Sequence, residues 1–314
     1  MVNIVYCFDR GYQQHFGASV TSLLLNFEGD AANLNIFIVT DECDSIFLKK
    51  IDQFKNCFKA SFRIIQLNEN SLNQAAEIHA KVRENSHQVD HVSSPTWWRI
   101  FLAEYLPSQV DKVLYLDADT IILSSIDTLF NIELKGAPIG GVEDFSSEQM
   151  KKKLDIASYI NSGVLLIDLN QWRKLSYADG CIGWAMENWN RLTYVDQCAI
   201  NGFFKEKIEY LPPTWNQFIT CKNRNQENID QGVLHFITKD KPWQSWYENA
   251  LASKYWDYLK VSPWGHNCEA DKPKTFNQAR RLARLHYANG NLVNSISEYD
   301  KLFTAMESRL SKRV

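Results

Sequence analysis

The sequence lacks any apolar run long enough to cross a membrane as a helix, and it also lacks a Cys-x-x-Cys pair. The first absence argues against an integral membrane protein. The seven cysteines are odd in number and scattered, which fits buried thiols of a reduced compartment better than a disulfide framework. No secretion signal precedes the apolar segment that begins at Asn3. We therefore expect a cytoplasmic protein that associates with a membrane at most peripherally, at its inner face.

An excess of charge of one sign is also missing, because the formal net charge is only −3 over 314 residues. This balance argues against a nucleic-acid-binding protein. The segment from Asp271 onward is nevertheless basic, whereas the remainder is acidic. A basic tail favours an anionic acceptor or a membrane surface, and solvated helix faces are the alternative. With 45% hydrophobic residues, a chain of this length can bury a large core.

Short apolar runs alternate with helical patterns up to about Pro263. This alternation predicts an α/β fold with a largely parallel sheet flanked by helices. The polar segment 68–94 is either a lid or binding loop, or a surface helix without such a role. The predicted strands are 4–8, 34–39, 62–67, 112–117, 139–142, 164–169, 208–211 and 233–237, and the predicted helices are 12–27, 46–58, 96–105, 171–175, 182–189 and 197–204.

After Pro263 only two helical segments remain, 275–288 and 292–310. Gly290 lies between them and suits the left-handed residue that follows a helix end. The pattern resembles a single tetratricopeptide-type hairpin, which cannot bury its apolar face alone and must pack on the main domain or on a partner. We therefore predict a main domain over 1–265 and a helical subdomain over 266–314. The residues that carry the hairpin pattern are Ala283, Tyr287, Gly290, Ser295, Ile296, Tyr299 and Leu302.

The strongest local signal is Leu116-Asp117-Ala118-Asp119 at the end of a predicted strand. Residues two apart in an extended chain point the same way, so Asp117 and Asp119 can face one cation together. Divalent cations are usually held by one or two carboxylates plus substrate phosphates, and open α/β sheets bind ligands at this end of their strands. A solvated turn is the alternative interpretation.

A second signal is His235 on an apolar strand, followed by Lys241-Pro242-Trp243. A lone histidine on such a strand is usually part of the core. If His235 instead joined Asp117 and Asp119, its nitrogen would favour Mn²⁺ over Mg²⁺. Lys241 would then neutralise charge on a leaving diphosphate.

Three further polar motifs stand at the ends of predicted strands or helices. Each motif also has an explanation without a functional role. Asp9 and Asp196, for example, both suit the cap at a helix start. The motifs are Asp9-Arg10-Gly11-Tyr12, Asn161-Ser162-Gly163 and Asp196-Gln197.

Together, in this order and at roughly this spacing, these motifs resemble glycosyltransferase family 8 over about residues 2–245. The resemblance implies a GT-A (Rossmann-like) fold, Mn²⁺ (with Mg²⁺ as the alternative) and a UDP-hexose donor whose anomeric configuration is retained. It implies transfer of galactose, or of glucose, to a sugar acceptor of a bacterial surface glycan or glycoprotein.

The resemblance also assigns roles to residues. Metal ligands are Asp117, Asp119 and His235, and residues of catalysis are Gln197, Asp196 and Asp144. Gln197 would stabilise an oxocarbenium-like centre or bond to it transiently, and Asp196 would orient it. The implied donor-binding residues are Asp9, Gly11, Tyr12, Arg99, Asp117, Ala118, Asp119, Asn161, Ser162, Asp196, Gln197, His235 and Lys241. On the acceptor side, sugar faces could stack on Trp97, Trp98 or Trp215, and core packing is the alternative because most aromatic side chains fill cores.

The chain departs from the family pattern at three places. Thr238 stands where the family often has glycine, which affects the backbone approach to the diphosphate. Arg10 stands where a small polar residue is common, and the helical hairpin replaces an aromatic, basic tail. The hairpin suggests docking or oligomer formation.

Three alternatives stay open. One is a glycogenin-like enzyme that glucosylates its own tyrosine, and another is a non-catalytic scaffold that docks through the hairpin. The third, a nucleotidyltransferase, usually has a glycine-rich loop where this chain has Asp9-Arg10-Gly11-Tyr12.

Overall fold

The computed structural model describes residues 1–85, 93–145, 147–221, 229–266 and 268–311. Strands and helices are interspersed as far as residue 261. The strands are β1 (Val2–Cys7), β2 (Leu34–Thr40), β3 (Ser61–Gln66), β4 (Lys112–Leu116), β5 (Thr120–Ile122), β6 (Ile139–Glu143), β7 (Ile160–Asp168), β8 (Ile208–Tyr210), β9 (Gln217–Ile219) and β10 (Val233–Phe236). The helices are α1 (Gln13–Asn26), α2 (Ser45–Cys57), α3 (Glu69–Asn85), α4 (Leu102–Tyr105), α5 (Asp127–Phe130), α6 (Glu148–Leu154), α7 (Leu169–Lys174), α8 (Tyr177–Glu187), α9 (Val195–Phe204), α10 (Ala252–Val261), α11 (Phe276–Ala288) and α12 (Leu292–Ser311).

Seven strands form the central sheet in the order β3-β2-β1-β4-β7-β6-β8. Every neighbouring pair is parallel except the two that involve β7, which runs antiparallel to both β4 and β6. Central strands such as β2 are buried along their whole length, which explains why they read as continuous apolar runs. The prediction of an α/β fold with a mainly parallel sheet is confirmed.

The two faces of the sheet support two separate hydrophobic clusters. Side chains alternate along β4, so Leu114 and Leu116 join one cluster and Val113 and Tyr115 join the other. The first cluster also holds Trp264, and the second is filled largely by aromatic and aliphatic side chains of the helical segments after β3 and β7. The sheet is therefore fixed on both sides, which makes its edges rigid supports for a site.

A second sheet has the order β5-β10-β9. The sequence predicts β10, but it gives no signal for β5 or β9 because strands of three residues show no periodicity. The pairing of β10 with β5 matters for function, since β5 begins directly after Asp119 and β10 contains His235.

One helical prediction needs correction, and one open alternative is resolved. The predicted helix 96–105 is a 3₁₀ helix over Ser94–Phe101 that continues as the short α4. The polar segment 68–94 forms α3 over most of its length, as its surface-helix interpretation predicts, and residues 86–92 lie outside the described residues. Sequence patterns also miss α5, α6 and α10.

The C-terminal hairpin is confirmed as two helices, with Gly290 between them at φ +74°. Ser295 of α12 donates a hydrogen bond to the carbonyl of Ala283 in α11 at 2.9 Å. Arg281 ties the hairpin to the main body through ion pairs with Asp240 at 3.0 Å and Glu248 at 3.7 Å. The hairpin therefore packs on its own chain. Its outer face still exposes apolar side chains, among them Tyr287, Leu292, Val293, Ile296 and Phe303.

None of the seven cysteines forms a disulfide bond. Within the described part of the chain, none of the helices combines the length and the apolar character that a membrane span requires.

Candidate active site

The site forms at the carboxyl end of β4, where the chain turns from the central sheet into β5. The backbone amide of Asp117 donates to the carbonyl of Gly163 on the antiparallel β7 at 2.8 Å. The amide of Phe236, on β10, donates to the carbonyl of Asp119 at 3.1 Å. Backbone pairing therefore brings the Asp-x-Asp turn and His235 together, although they lie more than a hundred residues apart in sequence.

Asp117, Asp119 and His235 form a cluster whose potential ligand atoms all lie within 4.8 Å of one another. Nε2 of His235 lies 3.3 Å from Oδ1 of Asp119 and 3.6 Å from Oδ2 of Asp117. His235 and Asp119 are buried. This arrangement is what a divalent cation needs, because two carboxylates and an imidazole converge on one point.

The other oxygen of each carboxylate is already engaged. Oδ1 of Asp117 accepts from the Tyr115 hydroxyl at 2.5 Å and pairs with Arg99 at 3.0 Å. Oδ2 of Asp119 pairs with Nζ of Lys241 at 2.5 Å. Oδ1 of Asp119, which faces His235, is buried and has no hydrogen-bond partner. A buried carboxylate oxygen without a donor is costly, so the residues present fit a bound cation.

The charge of Asp119 is set chiefly by Lys241. Burial opposes ionisation of this carboxyl, but the pKa of Asp119 is held below its ordinary value, chiefly by the Lys241 ammonium beside it. Asp119 is therefore ionised in the fold, as a metal ligand must be.

Gly163 leaves the space in which the ligands meet. A Cβ at this position would lie 2.2 Å from Cε1 of His235 and 2.7 Å from Oδ2 of Asp117. Any side chain here would push the cluster apart, so the glycine of Asn161-Ser162-Gly163 is required by packing.

Arg99 links α9 to the three candidate ligands Asp117, Asp119 and His235 (the metal cluster). Its guanidinium lies 3.0 Å from Asp117 and 3.1 Å from Asp196, and all but a small part of it is buried. Thr96 donates a short hydrogen bond to the other oxygen of Asp196. Burial raises the pKa of Asp196 although Arg99 opposes it. The helix-cap alternative for Asp196 is wrong, because Asp196 lies inside α9 and its side chain faces Arg99.

Gln197 lies beside the start of β7. Its Oε1 accepts from Nδ2 of Asn161 at 3.0 Å and from the backbone amide of Ser162 at 3.1 Å. The residue before Asp196, Val195, has φ +30°, a strained value for a β-branched residue. This strained residue lies at the start of α9, directly before Asp196 and Gln197.

Asp9 caps the 3₁₀ helix Arg10–Tyr12, since its side chain accepts from the amide of Gly11 at 3.0 Å. Its other oxygen accepts from Ser93 at 3.0 Å. Tyr12 packs edge-on against Trp243, with ring centroids 5.8 Å apart. Burial raises the pKa of Tyr12, and the negative charges of Asp119, Asp117 and Asp9 raise it further.

Asp144 follows β6, a neighbour of β7, and its amide donates to the carbonyl of Tyr159 at 2.7 Å. It therefore lies at the same sheet edge as Asp117. The roles assigned to Asp144, Asp196, Gln197, Ala118 and the remaining donor-site residues stay predictions.

The departures from the family pattern have structural counterparts. Thr238 has φ +75°, the left-handed conformation that glycine adopts most easily. Arg10 turns to the start of α2, where it pairs with Glu42 at 2.5 Å and Asp44 at 3.5 Å.

Of the two interpretations for Trp97, Trp98 and Trp215, core packing agrees with the structure, because all three side chains are buried. The density of tryptophan reflects the core.

Sequence reasoning also missed His15 and Asn216. His15 stacks on Trp243 with ring centroids 3.4 Å apart and hydrogen-bonds the Tyr255 hydroxyl at 2.7 Å. Asn216 contacts Nδ1 of His235 at 2.9 Å. Neither residue stands in a motif, so only the tertiary contacts reveal them.

The chain is similar to known glycosyltransferases over most of its length. It is 24% identical to lipopolysaccharide 1,2-glucosyltransferase of Escherichia coli strain K12, covering 92% of this chain and 88% of that protein. It is 23% identical to lipopolysaccharide 1,3-galactosyltransferase of Salmonella typhimurium, covering 96% and 90%. A crystal structure of galactosyltransferase LgtC with donor and acceptor sugar analogues superposes with a TM-score of 0.71 at 21% identity, covering 88% of this chain and 99% of that chain.

This superposition confirms the predicted fold, and the family model described as glycosyl transferase family 8 matches residues 3–247. The chain therefore belongs to glycosyl transferase family 8.

Proposed function

We propose that this glycosyltransferase is a retaining hexosyltransferase that moves galactose, or glucose, from a UDP-sugar to a sugar acceptor of a bacterial surface glycan or glycoprotein, with Mn²⁺. The observation that carries the proposal is the convergence of Oδ2 of Asp117, Oδ1 of Asp119 and Nε2 of His235. The names of the two lipopolysaccharide transferases support the substrate class.

A cation at the metal cluster, together with the side chains of Lys241 and Arg99, would form the diphosphate site. A cation held by Asp117, Asp119 and His235 would act as a Lewis acid on diphosphate oxygens. Lys241, beside Asp119, would contribute a point charge, and Arg99 would hold Asp117 in place. Because these groups are positioned before the substrate binds, they stabilise the charge that develops on departing UDP.

The sugar would lie between this diphosphate site and α9. Gln197 would stabilise the positive charge at the anomeric carbon, and Asp196, fixed by Arg99, would orient the start of α9. Oε1 of Gln197 already accepts two hydrogen bonds, which makes it a weak nucleophile. We therefore favour attack of the acceptor hydroxyl from the face that UDP leaves, with Asp144 positioned at the same sheet edge.

The uridine would lie near Asp9, Gly11 and Tyr12, the turn that follows β1. Residues 1–265 would form the catalytic domain, and 266–314 a subdomain for docking or oligomer formation. The cytoplasmic location with peripheral membrane association belongs to the same proposal.

The test is UDP release from a panel of UDP-sugars, first with Mn²⁺ and then with a chelator. We expect one donor to be turned over, with loss of release in chelator and in Asp119→Ala. The matched control is Asp52→Ala, because Asp52 is an exposed carboxylate on α2. Anomeric proton NMR of the product then reads out retention. Turnover that survives both chelator and Asp119→Ala would refute the metal assignment.

Two alternatives have their own outcomes. Growth of the intact mass with UDP-glucose alone would indicate self-glucosylation. Absence of UDP release with every donor and mixed sugar acceptors, together with partner binding that is lost on truncation near Pro263, would indicate a scaffold.

A further inference from the structure

Asn216 bridges the metal cluster and the residues around Gln197. It follows the 3₁₀ helix Pro213–Trp215 and is only 2% exposed. Its Oδ1 lies 2.9 Å from Nδ1 of His235, and its Nδ2 donates to Oδ1 of Asn161 at 2.9 Å. Asn161 in turn donates to Oε1 of Gln197 at 3.0 Å. Three side-chain amides therefore connect a metal-cluster residue to α9.

Backbone donors fix the direction of every bond in this chain of amides. The amide N–H of Gly163 donates to Oδ1 of Asn161 at 2.9 Å, so this atom must be the oxygen of the side chain. Asn216 must therefore present its NH₂ group to Asn161 and its oxygen to His235. At the far end, the Ser162 N–H fixes Oε1 of Gln197 in the same way.

The orientation of Asn216 sets the tautomer of His235. An amide oxygen can only accept, so Nδ1 of His235 must carry the proton. Nε2 then offers its lone pair toward Asp117 and Asp119, as a metal ligand requires.

We propose that Asn216 is a positioning residue with two separable effects, one on each of its side-chain atoms. Its oxygen holds His235 in the tautomer and ring orientation that bind the metal. Its NH₂ group holds Asn161, and through Asn161 the carboxamide of Gln197. This inference rests on the proposed function for the second effect, whereas the first concerns metal binding alone.

Removal of the whole side chain tests the first effect. In Asn216→Ala we expect the affinity for Mn²⁺, measured by calorimetry in the presence of UDP, to fall by about 10- to 100-fold. The kcat for donor turnover should fall as well.

Asn216→Asp separates the two effects. A carboxylate still accepts from Nδ1–H of His235, so this outer-shell contact stays intact. The Mn²⁺ affinity should therefore remain within about a few-fold of wild type. A carboxylate has no N–H for Asn161, so kcat should fall while the metal still binds.

Asn56→Ala and Asn56→Asp are the matched controls, because Asn56 is exposed on α2. Both should match wild type in Mn²⁺ affinity and kcat. Thermal unfolding of all four variants shows whether they fold. If Asn216→Ala fails to fold, ¹⁵N NMR of the histidines in wild type remains decisive, since the proposal requires one ring with protonated Nδ1 and unprotonated Nε2 at the metal cluster.

Three outcomes would overturn the proposal. They are unchanged Mn²⁺ affinity in folded Asn216→Ala, equal loss of affinity in Asn216→Asp, or unchanged kcat in Asn216→Asp. If wild type binds Mn²⁺ but turns over no UDP-sugar, the proposed function fails while the comparison of Mn²⁺ affinities still tests the role of Asn216 toward His235.

Discussion

The ammonium of Lys241 lies 2.5 Å from Oδ2 of Asp119, on the side of the carboxylate that faces away from His235. Lys241 also donates to the carbonyl of Phe236 at 2.6 Å, so the end of β10 holds its position. One lysine therefore keeps Asp119 ionised and would also stand beside a diphosphate bound at the metal cluster. The charge that prepares the metal site would then be the same charge that stabilises departing UDP.

Replacement of Lys241 by methionine should lower kcat strongly and the stability of the fold only slightly. The variant keeps the apolar stem but removes the charge, and loss of one preorganised stabilising group costs about 100- to 1,000-fold in kcat. Steady-state kinetics of UDP release measure it. Lys239→Met is the control, since Lys239 is exposed on the same loop and should keep wild-type kcat. A kcat in Lys241→Met within a few-fold of wild type, which is a change in activation free energy of less than about 1.4 kcal/mol, would remove Lys241 from the mechanism.

Gly163→Ala should separate the metal ligands. The added methyl would lie 2.2 Å from His235, so the ring must move, and overpacking of this kind costs about 1–3 kcal/mol of stability. We expect weaker Mn²⁺ binding by calorimetry and a lower urea midpoint. Gly183→Ala in α8 is the control, because a methyl there meets no atom within 4 Å. There the free energy of unfolding should rise by about 0.5–1 kcal/mol. Wild-type Mn²⁺ affinity in Gly163→Ala would contradict the packing argument.

Thr238→Gly should stabilise the protein. Threonine at φ +75° is strained by about 1–2 kcal/mol, and glycine relieves this strain but loses about 0.5–1 kcal/mol through the greater freedom of its unfolded chain. The net gain should be below about 1.5 kcal/mol by the same estimates. Urea unfolding measures this gain in the free energy of unfolding, provided that its slope against urea concentration is the same in both proteins. Thr238→Ala keeps a Cβ and should gain less, so an alanine variant as stable as the glycine variant would rule out backbone strain as the cause.

His15 should make stability depend on pH. Burial is the main reason that its pKa falls from 6.5 to about 3, with Lys241 contributing and Asp119 opposing. A lowered pKa means that the fold favours the neutral imidazole. This stabilisation is complete above pH 6.5 and is lost as the pH falls toward 3, by at most about 1.4 kcal/mol per pH unit.

His15→Gln removes this proton uptake. The difference in unfolding free energy between wild type and variant, from urea titrations at several pH values below 6.5, should therefore shrink as the pH falls. The exposed His266→Gln variant should show no such trend. A difference that stays constant with pH would mean that His15 is not held neutral.

Sequence patterns identified the central strands because burial on both faces makes them continuous apolar runs, as in β2. They also identified Asp117, Asp119 and His235, since the residue types and their order are specific in combination. They missed β5 and β9, which are too short to show a period. They left the role of Trp97 and Trp98 open, because aromatic composition does not distinguish a core side chain, which both are, from one that stacks on a sugar.

The sequence by itself determined the family, the α/β alternation and the residue types that suit a divalent cation and a diphosphate, because these depend on local pattern and on side-chain chemistry. Only the tertiary structure decided which atoms meet. The pairing of β10 with β5 brings His235 to Asp119, Gly163 leaves room for their contact, and Asn216 fixes the proton on His235. Each of these contacts joins residues far apart in the chain, and its geometry is set by backbone hydrogen bonds and close packing that no local pattern encodes.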